Sequence, residues 1–319
     1  MAGKKFFFLV AMIILSVITA CGNSFGIQGV GLEEMMVTEG GEKSIDRSRV
    51  IEEVSLDQEL ATGLVLTHFC VTEGKFGDRR LYFEITNQAD DDLLINLSDF
   101  RFNEIRVGWT ENSGAYDAMT GEKLFGAPSV PSKERRVVFY KLDDYFPSDV
   151  FNKLGIDRLD SVVFEAFVSD EDRQYIAYPL IDLVLHDPPS RYRLEGGPVY
   201  QEEGLSIHYI GYSDIADQPD LGPDEPELVF LVERAGDEGV ILGFYPESIR
   251  LNGKAVRYYS GQSIRFLTYD KQLFRIGLVE SLGELLPRER DIKEIELTFY
   301  LMDINQTLLR DIPIHIQLM

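Results

Sequence analysis

After residue 60 the chain is a succession of short apolar runs separated by polar breaks. Residues 81–87 (Leu-Tyr-Phe-Glu-Ile-Thr-Asn) and 228–234 (Leu-Val-Phe-Leu-Val-Glu-Arg) are representative. Such runs are rich in Val, Ile, Phe and Tyr and end at Gly, Asn, Asp or Pro, which predicts β-strands joined by tight turns. Alternation is only partial in Leu297-Thr-Phe-Tyr-Leu301, as expected where both faces of a sheet are partly covered. Asn252-Gly253 predicts a hairpin, because both residues enter positive φ cheaply; Asn103-Glu104 keeps only the asparagine. A short helix is predicted at 148–155. Ser148 can cap it, Val150, Phe151 and Leu154 share a face, and Gly155 can end it. Residues 280–286, before Pro287, carry a weaker version.

The order of these segments occurs twice. Residues 63–73 match 204–214 at an offset of 141, and 81–87 match 228–234 at 147. Phe100-Arg-Phe-Asn103 matches Ile249-Arg-Leu-Asn252 at 149, and 162–170 match 295–303 at 133. Both copies close on a proline and an alternating strand, 179–185 and 313–318. About seven strands per copy predict an all-β chain of two tandem β-sandwich domains, 61–198 and 199–319, each with a short helix.

The first twenty-one residues break the pattern. Lys4-Lys5, the apolar run from Phe6 to Leu15 and small residues before Cys21 make a secretory signal. The run is shorter than the about 20 apolar residues a membrane span needs, and Ser16 and Thr19 interrupt the stretch. Ile18-Thr19-Ala20-Cys21 resembles the lipobox of bacterial lipoproteins. That resemblance implies cleavage after Ala20, lipidation of Cys21 and a lipid-anchored, extracytoplasmic location. Two or three acyl chains anchor firmly where one does not, since each buried methylene contributes about 0.8 kcal/mol. Residues 21–60 carry Gly22, Gly26, Gly29, Gly31, Gly40 and Gly41 among many charges and read as anchor and flexible tether.

Composition narrows the partners. The chain has 31 basic and 54 acidic residues; without Lys4 and Lys5 the mature form has 29 against 54, a net charge of −25. Phosphate backbones repel such a chain, so nucleic acid is not an expected partner. With Cys21 acylated, Cys70 has no disulfide partner and reads as a small core residue, although His68 shares its face on a strand.

Motifs for chemistry are scarce. His68, His186, His208 and His315 show no metal-ligand spacing. No G-x-S-x-G elbow or phosphate-binding loop is present, and no cofactor or enzymatic activity is expected. The acidic loop from 213 to 226 holds Asp217, Asp220 and Asp224, hard oxygens of the kind calcium takes, without EF-hand spacing. Trp109 and Tyr116 lie in a Gly-rich insertion, 108–128, whose aromatic rings form a candidate ligand contact for a sugar or peptide.

Asn87, Asn103, Asn252-Gly253, Leu154, Ile292, Ile295 and Phe299 resemble the pattern of immunoglobulin-like domains in uncharacterised bacterial lipoproteins of Gram-positive type. The resemblance covers 63–186 and 204–318. It implies the immunoglobulin-like fold and assigns no chemistry. The duplicated strands, the absent catalytic motifs and the anchor together predict a non-enzymatic binding or scaffolding role at the cell envelope, with an envelope protein or glycan as partner. The alternative is a carbohydrate-binding or hydrolytic envelope protein using the Trp109 loop.

Overall fold

The computed structural model describes residues 50–73, 79–108, 114–145, 148–156, 158–186, 192, 194, 196–213, 226–261, 263–266, 270–279 and 286–318. The leader, Cys21, Trp109, Asp217, Asp220, Asp224 and the weaker helix expected at 280–286 lie outside these, apart from Leu286.

The described chain is all-β. It opens with β1 (Val50–Ala61), β2 (Leu64–Glu73), β3 (Arg79–Asn87) and β4 (Leu93–Phe102). β5 (Ile105–Arg106), β6 (Tyr116–Asp117), β7 (Ser129–Val130) and β8 (Arg135–Lys141) follow. Then come the helix α1 (Ser148–Lys153), β9 (Ser161–Asp170), β10 (Tyr175–Ala177) and β11 (Leu180–Val184). One sheet runs β1-β2-β3-β8-β6, and against it β9 pairs with β4, β10 and β11. Phe69, Phe83, Phe100, Phe102 and Phe164, all fully buried, fill the space between. Val150, Phe151 and Leu154 of the helical turn plug this core, and Gly155 ends the turn at φ 63°.

The tether expected over 21–60 gives way to a strand at Val50. β1 is an edge strand, and Glu52, Glu53, Asp57 and Glu59 give it the charges that keep such edges from pairing with other chains. Those charges hide its alternation, in which Val54 and Leu56 turn inward.

The second half comprises β12 (Tyr200–Glu202), β13 (Leu205–Ser213), β14 (Glu227–Arg234), β15 (Val240–Phe244), β16 (Arg250–Leu251) and β17 (Lys254–Ala255). β18 (Arg257–Gly261), β19 (Ile264–Phe266), β20 (Asp270–Val279), β21 (Glu294–Asp303) and β22 (Leu308–Gln317) complete it. Here β12-β13-β14-β20 neighbour one another in that order, with β18 on β20, and β21 pairs with β15, β16 and β22. Strand for strand this repeats the first half. The expected insertion is therefore not all extra chain: β6 pairs with β8 as β18 pairs with β20.

The two halves are joined through a sheet. β5 pairs parallel with β20, placing Ile105 against Lys271 and Arg106 against Gln272. A single path β10-β9-β4-β5-β20-β14-β13-β12 results. Leu228, Phe230 and Val232 on one face of β14 pack in the second core. Val229 and Leu231 on the other face, with Leu273 of β20, pack in the first. Burial on both faces is why 228–232 reads as an unbroken apolar run.

Candidate functional site

A cleft of about 410 Å³ lies at this seam. β4 supplies Asn96, Ser98, Asp99 and Phe100, β5 supplies Arg106, and Glu165 and Tyr178 flank them. Leu97, Val107, Tyr140 and Tyr145 line it as well, and the second half contributes Ser263, Ile264, Arg265 and Gln272. The opening exists because β4 slips register between Ser98 and Arg101, where Asp99 takes a positive φ of 52°. A bulge of this kind redirects side chains and interrupts pairing.

Most of the charged lining is already engaged. Arg106 Nε donates to Asp99 Oδ1, and its Nη1 reaches Asp270 Oδ2 at 3.4 Å. Arg101 Nη1 lies 3.8 Å from Asp270 Oδ1. Burial raises the Asp270 carboxyl pKa and prevails over Arg101 and Arg106, which lower it. Tyr178 donates to Glu165, whose carboxylate pushes the phenol up to about 12. The cleft is thus a mixed polar and apolar surface that bridges both halves. Beside it Phe167 meets Tyr175 and Tyr178 at centroid distances of 5.8 and 6.0 Å. All three rings are at least one-third exposed.

The residues expected from sequence fall elsewhere. Tyr116 does not line the cleft. Its ring stacks on Phe139 at 5.0 Å, Lys141 Nζ sits 4.7 Å over it, and its hydroxyl donates to Asp144 Oδ2 at 3.3 Å. Trp109 lies outside the described residues, but Gly108 and Gly114 on either side line the cleft. Cys70 is fully buried and clusters with Tyr82, Val137 and Phe139.

Each histidine stands on a strand or strand end facing a glutamate. His68 meets Glu53 at 3.2 Å, His186 meets Glu52 at 2.7 Å, His208 meets Glu233 at 3.6 Å, and His315 meets Glu294 at 2.6 Å. Burial lowers the His208 pKa against the pull of Glu233. Asp99 and Arg106 have no signature in the sequence, because a bulge and a two-residue parallel strand leave no periodicity. Glu165, Tyr178 and Asp270 come to the seam only through strand pairing and the turn after β10. The aromatic spacing Phe167, Tyr175, Tyr178 around a turn was the one usable signal.

No family model matches the chain, and no curated protein matches it. Among solved structures, the YadV chaperone is 11% identical over 74% of this chain and 92% of its own, with a TM-score of 0.21. The N-terminal periplasmic domain of ScsB from Proteus mirabilis is 12% identical, covering 82% and 99%, with a TM-score of 0.19. Similarity at that level carries no argument about this chain.

Proposed function

We propose that this protein is an envelope lipoprotein that holds a partner without transforming it. Acylated Cys21 anchors it to the outer side of a membrane. Two tandem immunoglobulin-like sandwiches, 61–198 and 199–319, are the ectodomain, and the seam cleft is the contact surface. The observation that carries the binding role is the cleft itself, built from both halves, with its carboxylates Asp99 and Glu165 held by Arg106 and Tyr178. Carboxylates held in this way keep lone pairs that accept hydrogen bonds from a ligand's hydroxyl groups. The anchor rests on the sequence from Lys4 to Cys21.

Mass spectrometry of protein isolated from membranes tests the anchor. An acylated amino-terminal Cys21 is expected, and Cys21→Ser should release the chain from the membrane. An unprocessed, unacylated terminus contradicts it.

One observation favours a glycan as the partner. Phe167, Tyr175 and Tyr178 form an exposed aromatic cluster that meets the cleft at Tyr178, and sugars stack their apolar faces on such rings while their hydroxyls meet polar side chains. Binding of the whole protein to envelope oligosaccharides, lost in Phe167→Ala and Tyr175→Ala, supports this reading. Oligosaccharide binding that survives both substitutions, or none at all, contradicts it.

A further inference from the structure

The outer face of β21 and β22 carries a second constellation, separate from the seam. Glu294 pairs across the strands with Gln317, and Glu296 with His315. The intervening Ile295, Leu297, Ile314 and Ile316 point into the second core. Four polar side chains therefore stand as a square on a rigid two-stranded base, where directly opposite Cβ atoms lie about 5 Å apart. One ligating atom each from Glu294, Glu296 and His315 lie within 4.8 Å of one another.

The hydrogen bonding of this square does not close. His315 Nε2 is 2.6 Å from Glu294 Oε1 and 2.8 Å from Gln317 Nε2. Gln317 Nε2 also donates to Glu294 Oε1 at 2.8 Å. A single ring nitrogen cannot donate to the carboxylate and accept from the amide at once. If it accepts, its lone pair and a carboxylate oxygen converge with no proton between them. If it donates, the amide nitrogen meets an N–H. A cation at the convergence satisfies the imidazole lone pair and the carboxylate together.

We propose that Glu294, Glu296 and His315 form a surface site for a divalent transition metal of zinc type, with Gln317 as the residue that orients Glu294. The ligand set selects the metal class. Calcium takes six to eight oxygens, whereas an imidazole nitrogen with two carboxylates suits zinc. Zinc–ligand distances of about 2.0–2.2 Å put tetrahedral ligand atoms about 3.3 Å apart. Rotation of two long glutamate side chains closes the difference from 4.8 Å. Two carboxylates and a neutral imidazole balance the ion's charge, and water takes the fourth position. The His315 side chain is 55% exposed, so the site is open to solution. An amide partner of the Gln317 kind fixes a ligand's orientation and commonly changes metal affinity about 10- to 100-fold.

Zinc titration of the full-length protein in mild detergent, by calorimetry in a non-coordinating buffer, tests this. We expect one zinc per chain, unchanged in His208→Ala and at least about 10-fold weaker in both His315→Ala and Glu296→Gln. Circular dichroism should show both variants folded, since neither position contributes to the core. Absence of zinc binding, or an affinity unchanged in either variant, overturns the proposal.

Discussion

Asn103 and Asn252 make the same hydrogen bonds in the two halves. Asn103 Oδ1 accepts from the amides of Asp160 and Ser161, and its Nδ2 donates to Arg158 O. Asn252 Oδ1 accepts from Lys293 and Glu294, and its Nδ2 donates to Asp291 O. Each asparagine sits at a positive φ, 48° and 51°, at the first position of a hairpin turn. Each thereby pins that hairpin to the chain entering β9 or β21. The asparagines were legible in the sequence; the segments they hold were not, because nothing local marks a side chain reaching 55 residues along the chain. Asn103 is buried and Asn252 exposed, so the losses should differ. Asn103→Ala should cost about 2–3 kcal/mol by urea denaturation and Asn252→Ala about 1 kcal/mol, since buried amides lose more when left unpaired. Asp144 offers a second test at this scale. Burial pushes its carboxyl up to about 6 from the ordinary carboxylate value of 3.8. A raised folded pKa means this contribution is fully present below the unfolded value and is lost as pH rises through the folded one. Raising the pH from about 4 to 6 should therefore cost wild type about 2 kcal/mol from this group. That component should vanish in Asp144→Asn; an identical pH profile would contradict the assignment.

Among the elements, legibility followed burial. The strands with one or two apolar faces, β2, β3, β9, β13, β14, β21 and β22, all occupy segments that the sequence marks as apolar runs. The helical turn at Ser148–Lys153 also follows its apolar spacing. β1 was masked by edge charges, and β5, β7, β16 and β17 are two residues each, too short for periodicity. The unbroken run of β14 was visible, but not that its two faces belong to different cores. Leu231 is fully buried in the first core although its strand belongs to the second half. Leu231→Ala should cost about 2–5 kcal/mol. Its effect should appear in the unfolding of both halves, as read by hydrogen exchange in β3 and in β20. Loss of protection confined to β20 would show that the cores are uncoupled.

Across the whole molecule the duplicated sequence suggested two independent modules, and the structure couples them. Loop closure between β5 and β20 spans more than 150 residues, a contact no sequence window contains. Lys153 of the first half donates to Tyr212 O at 3.1 Å and pairs with Glu289 at 2.8 Å. A Cβ at Gly211 would stand 2.6 Å from that Lys153 Nζ, so the glycine leaves room for the Lys153 side chain in its present position. Arg275 of the second half reaches Glu227 at 2.5 Å and Tyr145 O at 3.4 Å. Together with Arg106 and Asp270, these contacts fix the cleft as a surface that exists only when both halves are folded. Differential scanning calorimetry of the full-length protein tests this coupling most directly. The account predicts one transition whose calorimetric and van't Hoff enthalpies agree. Two resolved transitions, one for each half, would contradict it.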